Sequence, residues 1–362
     1  MFYYLSELRD VLSVFNIFRY ITFRAGMAAV TTFVLCLVLG PFFIRKLKQL
    51  SIGEAAKRDD CPGLDRFQEK KEGTPTMGGV FIIGSIVLSV LLWADLSNRY
   101  VLLTLLTCVW LAVLGGIDDY MKLTKKGKGR GLRARTKFAW QLMLGCFLGS
   151  YIYFHPETTV QLDVPFFKNL IINLGILYIP FVALIIVGTS NAVNLTDGLD
   201  GLAIGCVFIL TLALAALSYI SGHLQFSQYL FIPFISGAGE LTVFCAAIIG
   251  ASLGFLWFNC YPADVFMGDV GSLSLGGTLG TMAVLIKKEL LLGLVGGIFV
   301  LEALSVILQV LSFKIRGKRI FKMSPLHHHL QISGWSESKI IIRFWILAII
   351  FALLTLTTLK IR

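Results

Sequence analysis

VLLTLLTCVWLAVLGGIDDY, residues 101–120, is an apolar run that ends on two adjacent aspartates, Asp118 and Asp119. A run of about 20 predominantly apolar residues is long enough to cross the hydrocarbon core of a bilayer as a helix. Similar runs recur along the whole chain. Of 362 residues, 56% are hydrophobic and 15% charged, with a mean hydropathy of +0.80. An ordinary soluble domain has about 25% charged residues. The apolar side chains are too many for one water-soluble core, which excludes a soluble enzyme. The runs are continuous rather than alternating, which excludes an outer-membrane barrel. The expected fold is an all-α polytopic membrane protein, a single integral-membrane domain over 1–362.

Ten spans are expected, near 25–44, 77–94, 100–117, 138–154, 169–189, 201–220, 240–258, 273–286, 290–313 and 340–359. The eighth is short. Cytoplasmic loops carry the excess of Lys and Arg. The loops after spans one, three and nine hold 22 of the 32 basic residues. Both termini are therefore expected outside, in the periplasm, with five loops in the cytoplasm. Residues 1–24 intersperse Phe, Tyr and Leu with Glu7, Arg9, Asp10 and Arg19 and read as an interfacial segment rather than a signal peptide. The seven Cys form no CxxC pair, and five lie within spans, where packing is their expected role. Gly201/Gly205, Gly250/Gly254 and Gly276/Gly280 are GxxxG pairs that suit close helix contacts.

The placement of the acids carries the chemistry. Loops 191–200 and 259–271 contain Asp197, Asp200, Asp264 and Asp269 and no Lys or Arg. With Asp118 and Asp119, three separate loops bring carboxylates to one membrane face, and nothing within loops 191–200 and 259–271 neutralises theirs. Carboxylates crowded this way raise one another's pKa unless a cation sits among them. Carboxylate, phosphate and water oxygens are the hard ligands that Mg²⁺ prefers. A lone Asp such as Asp264 is as readily an N-cap or a solvated group. Asp118 and Asp119 close a helix at its C-terminal end, where the dipole disfavours anions, and so favour a functional role. Asp197, Asp200 and Asp269 sit in Gly-rich turns that suit either Asx turns or phosphate binding at a helix N-terminus.

Other chemistry lies on the same face. His327, His328 and His329 are three of five His in the chain. They suit metal ligation or hydrogen bonding to phosphate. Lys70, Lys71, Thr74 and Thr76 precede a helix start at Gly78 and Gly79, an anion-friendly arrangement or simply a topology signal. Glu302, Ser305 and Gln309 form one polar stripe on the ninth span, either an interhelical hydrogen bond or a functional acid. Phe266 is placed to stack on a base or to pack.

GTPTMGG (73–79), GGIDDY (115–120), NAVNLTDGLDG (191–201), VFMGDVGS (265–272) and PLHHHLQ (325–331) together resemble the signature strings of the phospho-N-acetylmuramoyl-pentapeptide transferases. These belong to the wider family of polyprenyl-phosphate N-acetylhexosamine-1-phosphate transferases. The resemblance runs from about residue 25 to the end. It implies transfer of phospho-N-acetylmuramoyl-pentapeptide from its UDP carrier to undecaprenyl phosphate, giving UMP and lipid I, the first membrane step of peptidoglycan synthesis. It implies Asp118, Asp119, Asp269 and His327 as catalytic residues. Asp269 is the principal Mg²⁺ ligand, and Asp118 and Asp119 are candidates for further ligation. Lys71, Thr76, Asn194, Asp197, Gly198, Leu199, Asp200, Phe266, Gln309 and His328 are implied around the substrates. It also implies a homodimer in the bacterial inner membrane with a cytoplasm-facing site, and no nucleic-acid partner. A sister enzyme moving N-acetylglucosamine-1-phosphate and, more remotely, an ion-coupled transporter are the alternatives.

Overall fold

The structure, a computed structural model, describes residues 1–10, 12–49, 73–124, 131–155, 158, 160–165, 167 and 171–360. Its helices are α1 (Ile21–Gln49), α2 (Gly79–Trp93), α3 (Arg99–Thr124), α4 (Ala134–Phe154), α5 (Tyr178–Thr196), α6 (Leu202–Ser221), α7 (Leu224–Leu230), α8 (Leu241–Asn259), α9 (Gly268–Leu285), α10 (Glu289–Val295), α11 (Gly297–Arg316), α12 (Leu326–Ile332) and α13 (Glu337–Thr358). Between α4 and α5 a two-stranded antiparallel hairpin pairs β1 (Gln161–Asp163) with β2 (Ile171–Asn173). Among the described residues, seven helices are long and apolar enough to cross a membrane: Ile21–Gln49, Arg99–Thr124, Gly175–Thr196, Leu202–Ser221, Ala238–Asn259, Gly297–Arg316 and Glu337–Thr358. The protein is therefore helical and multi-pass.

The fold is built around α9. Every residue from Asp269 to Leu285 is buried, enclosed chiefly by α3 and α5 and flanked by α2. This helix is rich in Gly, Ser and Thr, which reads weakly as a span. Small side chains let neighbouring backbones approach closely, which is how helices associate without a hydrophobic driving force between them. At Gly276 a Cβ would press into Thr189 O at 2.5 Å, so the GxxxG pair seats α9 on α5. Gly254 likewise lies against Cys36 of α1. Cys36, Cys108, Cys206 and Cys245 are buried and unbridged.

α11 shows the opposite pattern to a soluble amphipathic helix. Glu302, Ser305 and Gln309 are buried, whereas Val300, Leu301, Leu304, Ile307 and Leu308 are exposed. A helix with its polar stripe inward and its apolar side outward is solvated by lipid on that side.

Four sequence expectations need correction. The ninth apolar segment is two helices, α10 and α11, because the chain breaks at Gly296. The fifth does not begin at 169: residues 171–173 form β2, and α5 starts at Tyr178. The membrane helix α1 starts at Ile21 rather than after 24, preceded by the short helical turns Phe2–Asp10 and Ser13–Arg19. Asp118 and Asp119 do not close their helix, since α3 continues to Thr124.

At one end of the bundle, Arg24 pairs with Glu240 and also donates to Trp93 O at 3.2 Å. This ties α1, the end of α2 and the start of α8 together. Gly79, at the other end of α2, lies against the start of α9, where the acids converge.

Candidate active site

Two helices supply the three carboxylates. Asp118 and Asp119 come from α3, and Asp269 comes from the first turn of α9. Each offers one oxygen, and these atoms all lie within 4.8 Å of one another, a spacing that could hold a metal ion. All three are buried. The close approach is permitted by Gly115, where a Cβ would meet the Asp269 and Val270 backbone.

Each carboxylate is held by named donors. Asp118 Oδ1 accepts from Leu132 N at 2.6 Å, and its Oδ2 lies 2.7 Å from Lys122 Nζ and 2.6 Å from Lys137 Nζ. Asp119 Oδ2 accepts from Val270 N at 3.2 Å, placing an anion at the N-terminus of α9, where unpaired N–H groups and the dipole favour it. The left-handed Gly268 (φ 74°) allows this, because a Cβ there would sit 2.6 Å from Asp119 Oδ2. Asp269 Oδ2 lies 2.6 Å from Lys137 Nζ and 3.1 Å from Lys122 Nζ, while Asp269 Oδ1 accepts from Asn194 Nδ2 at 2.9 Å. Asn194 also donates to Ser272 Oγ at 2.8 Å, which fixes the end of α5 against α9.

Lys122 and Lys137 are the residues that the sequence reading missed. In the sequence they read as basic residues that mark sidedness. Loop 259–271 has no cation of its own, but α3 and α4 bring two to its Asp269. The signal was available, because Lys122 lies one helical turn beyond Asp118 and Asp119. Three carboxylates against two ammoniums leave the cluster formally one charge negative, and oxygen-only ligation fits a hard divalent cation.

Thr76 and Phe266 lie on adjoining backbones: Phe266 N donates to Pro75 O, Gly78 N to Phe266 O and Gly79 N to Met267 O, each at 2.8 Å. This two-stranded contact leads directly into Gly268 and Asp269. Asp197 caps α5, three residues after Asn194. Asp200 lies outside the three-carboxylate cluster. Its Oδ2 accepts from Ala263 N at 3.1 Å, and its own N donates to Glu337 Oε1 at 3.0 Å, so it holds the 259–266 loop. Asn259 joins the same loop, accepting from Gly201 N at 3.0 Å and donating to Val265 O at 2.8 Å. Leu199 is a buried core residue, and Asp264 is exposed. Lys71 lies outside the described residues.

The polar stripe of α11 serves the histidine loop. Glu302 accepts from His327 N at 3.2 Å, and its other oxygen is 3.1 Å from His327 Nδ1. His327 is wholly buried, with Nε2 pressed on Gly198. Gln309 is turned to the backbone: Oε1 accepts from Ile320 N at 3.0 Å and Phe321 N at 2.9 Å, and Nε2 donates to Phe321 O at 2.9 Å. His328 Nδ1 lies 2.8 Å from Gln331 Oε1. Gly198 is four residues beyond Asn194, so the turn after α5 connects the acid cluster to the histidine loop.

The family model for glycosyl transferase family 4 matches residues 101–287, and the first signature of the phospho-N-acetylmuramoyl-pentapeptide-transferases matches residues 71–83. Proteins named phospho-N-acetylmuramoyl-pentapeptide-transferase are similar over their whole length. That of Citrifermentans bemidjiense is 52% identical over 362 residues, covering 100% of both chains. That of Thermodesulfovibrio yellowstonii is 53% identical over 361 residues, covering 99% of both. The strings that converge on the three aspartates and the histidine loop are thus carried on a chain similar from end to end to these proteins, and the chain belongs to the phospho-N-acetylmuramoyl-pentapeptide-transferase family.

Proposed function

We propose that the protein transfers phospho-N-acetylmuramoyl-pentapeptide from UDP-N-acetylmuramoyl-pentapeptide to undecaprenyl phosphate, releasing UMP and leaving lipid I. The observation that carries this reading is the convergence of Asp118, Asp119 and Asp269 on Lys122 and Lys137. A phosphate oxygen of the lipid attacks the sugar-linked phosphorus, and the bond to UMP breaks. Such a transfer depends on positioning and charge stabilisation more than on covalent help.

Mg²⁺ fits the oxygen-only donor set, with Asp269 as principal ligand and Asp118 and Asp119 beside it. When bound, it supplies positive charge to the diphosphate and the departing UMP. The chain's own cations, Lys122 and Lys137, supply further positive charge for the phosphates beside the carboxylates. Asp118 acts by position rather than as a base. One of its oxygens holds an N–H and the other two ammoniums, so both oxygens are already engaged as acceptors. The lipid phosphate, with a second pKa of roughly 6, is already mostly dianionic at pH 7. Thr76, Asn194, Asp197, Gly198 and Phe266 are assigned to the nucleotide and phosphates together with Lys71, which lies outside the described residues, while Leu199 and Asp200 support the turn after α5 from the core and from the 259–266 loop. His327 positions the turn at Gly198, Gln309 positions the 320–321 backbone, and His328 stands beside them.

The whole chain is one integral-membrane unit of ten spans, including α2, α4 and α9. Both termini are periplasmic, the site faces the cytoplasm of the bacterial inner membrane, and the enzyme works as a homodimer. The test is UMP release by purified protein with undecaprenyl phosphate, Mg²⁺ and each UDP-sugar. Turnover with UDP-N-acetylmuramoyl-pentapeptide is expected. Turnover only with UDP-N-acetylglucosamine overturns the assignment.

A further inference from the structure

Beside α12 and the first turns of α13 lies a groove of about 400 Å³, lined by Leu330, Trp335, Arg343, Phe344, Ile346 and Leu347. This is within the range of roughly 300–1,000 Å³ that takes one small ligand. The transfer chemistry makes no use of it. Its walls are apolar and open outward: Phe344 is buried, while Ile346 and Leu347 are exposed.

Two cations stand at the edge of the groove. Arg343 Cζ lies 4.4 Å, and Lys339 Nζ 5.1 Å, from the centre of the Trp335 ring. They are one turn apart on α13 and both exposed, and among the described residues neither forms an ion pair with a carboxylate. Glu337, the nearest acid in sequence, directs Oε1 to Asp200 N. Both cations therefore lie against the same indole ring near the start of a helix, where the dipole is itself positive. An anion set between them relieves this repulsion.

The groove's position sets the kind of anion. Trp, Lys and Arg at the start of an apolar helix mark headgroup depth, and α13 runs apolar beyond Arg343. Inorganic phosphate would satisfy the cations and leave the apolar walls bare. A molecule with both an anionic head and a hydrocarbon tail matches both parts. Basic pockets at helix ends on the cytoplasmic side bind anionic headgroups in this way.

We propose that this groove is a binding site for one anionic phospholipid, with its phosphate between Lys339 and Arg343 beside Trp335 and an acyl chain along Phe344, Ile346 and Leu347. The site is separate from the reacting lipid phosphate. It joins the histidine-bearing helix α12 to α13, so its occupant steadies the loop that Glu302 and Gln309 anchor.

The test uses full-length protein in phosphatidylcholine nanodiscs and photoactivatable phosphatidylglycerol, with crosslinked peptides mapped by mass spectrometry. The expected result is labelling of residues 330–347, at least 10-fold lower in the double variant Lys339→Gln, Arg343→Gln and in the groove-filling variant Ile346→Trp. In wild-type protein the labelling should also fall as salt is raised, which needs no variant to fold. Equal labelling by photoactivatable phosphatidylcholine, indifference to salt, or displacement by equimolar undecaprenyl phosphate overturns the proposal. Because the readout is binding without turnover, failure here is distinct from failure of the transfer assay.

Discussion

Lys137→Met removes a charge whose Nζ lies 2.6 Å from both Asp118 Oδ2 and Asp269 Oδ2. The two acids are buried, and the lysine side chain is only 22% exposed. Deleting one partner of a buried pair costs about 3–5 kcal/mol. Partial exposure of the lysine argues for the lower end, about 3 kcal/mol, which corresponds to roughly a 10²-fold change in rate or equilibrium. The variant leaves three carboxylates facing one another with Lys122 alone. A divalent cation relieves that repulsion, so metal affinity should rise 10-fold or more while kcat falls about 10²-fold for want of the ammonium that orients phosphate. Mn²⁺ binding by electron paramagnetic resonance and UMP release measure the two effects on the same preparation, and Lys137→Arg should restore part of kcat. Weaker metal binding together with unchanged kcat would refute the reasoning, because the lysine would then be neither a counter-charge nor a phosphate ligand.

Glu302→Leu, which removes both contacts to His327, should reduce activity more than 10-fold, whereas Glu302→Gln, able to reach both nitrogens, should retain most of it; kcat and KM with a thermal melt separate loop detachment from global unfolding. Gly79→Ala puts a methyl against the Gly271 backbone and should cost about 1–3 kcal/mol as lost thermal stability, while Gly84→Ala, with nothing within 4 Å, should leave the melt unchanged. Arg24→Met strands the buried Glu240 carboxylate at the far end of α2 and should lower the melting temperature without raising KM; adding Glu240→Leu should recover much of the loss.

The acid cluster was legible because Asp118, Asp119 and Asp269 lie in apolar contexts where a charge is costly and therefore informative. Lys122 and Lys137 were not, because Lys at a membrane boundary is common as a topology signal and nothing in its local sequence shows which acids it meets. The stripe Glu302, Ser305 and Gln309 was visible as a face, but its partners are backbone groups at 320, 321 and 327, which leave no mark in composition. The central helix α9 was the faintest span for a physical reason. Enclosed on every side, it needs small residues for close packing rather than large apolar ones facing lipid. The break at Gly296 and the strand at 171–173 both fall within continuous apolar runs, where hydropathy does not distinguish a bent helix or a hairpin from a straight span.

The central claim is that Asp118, Asp119 and Asp269 hold a divalent cation at which the diphosphate is bound. The most direct measurement is Mg²⁺ and UMP binding by calorimetry on folded wild-type protein and on Asp269→Asn. The account predicts that the wild type binds Mg²⁺, that Mg²⁺ tightens UMP, and that Asp269→Asn loses both effects together. Undiminished, Mg²⁺-dependent UMP binding in Asp269→Asn would contradict it.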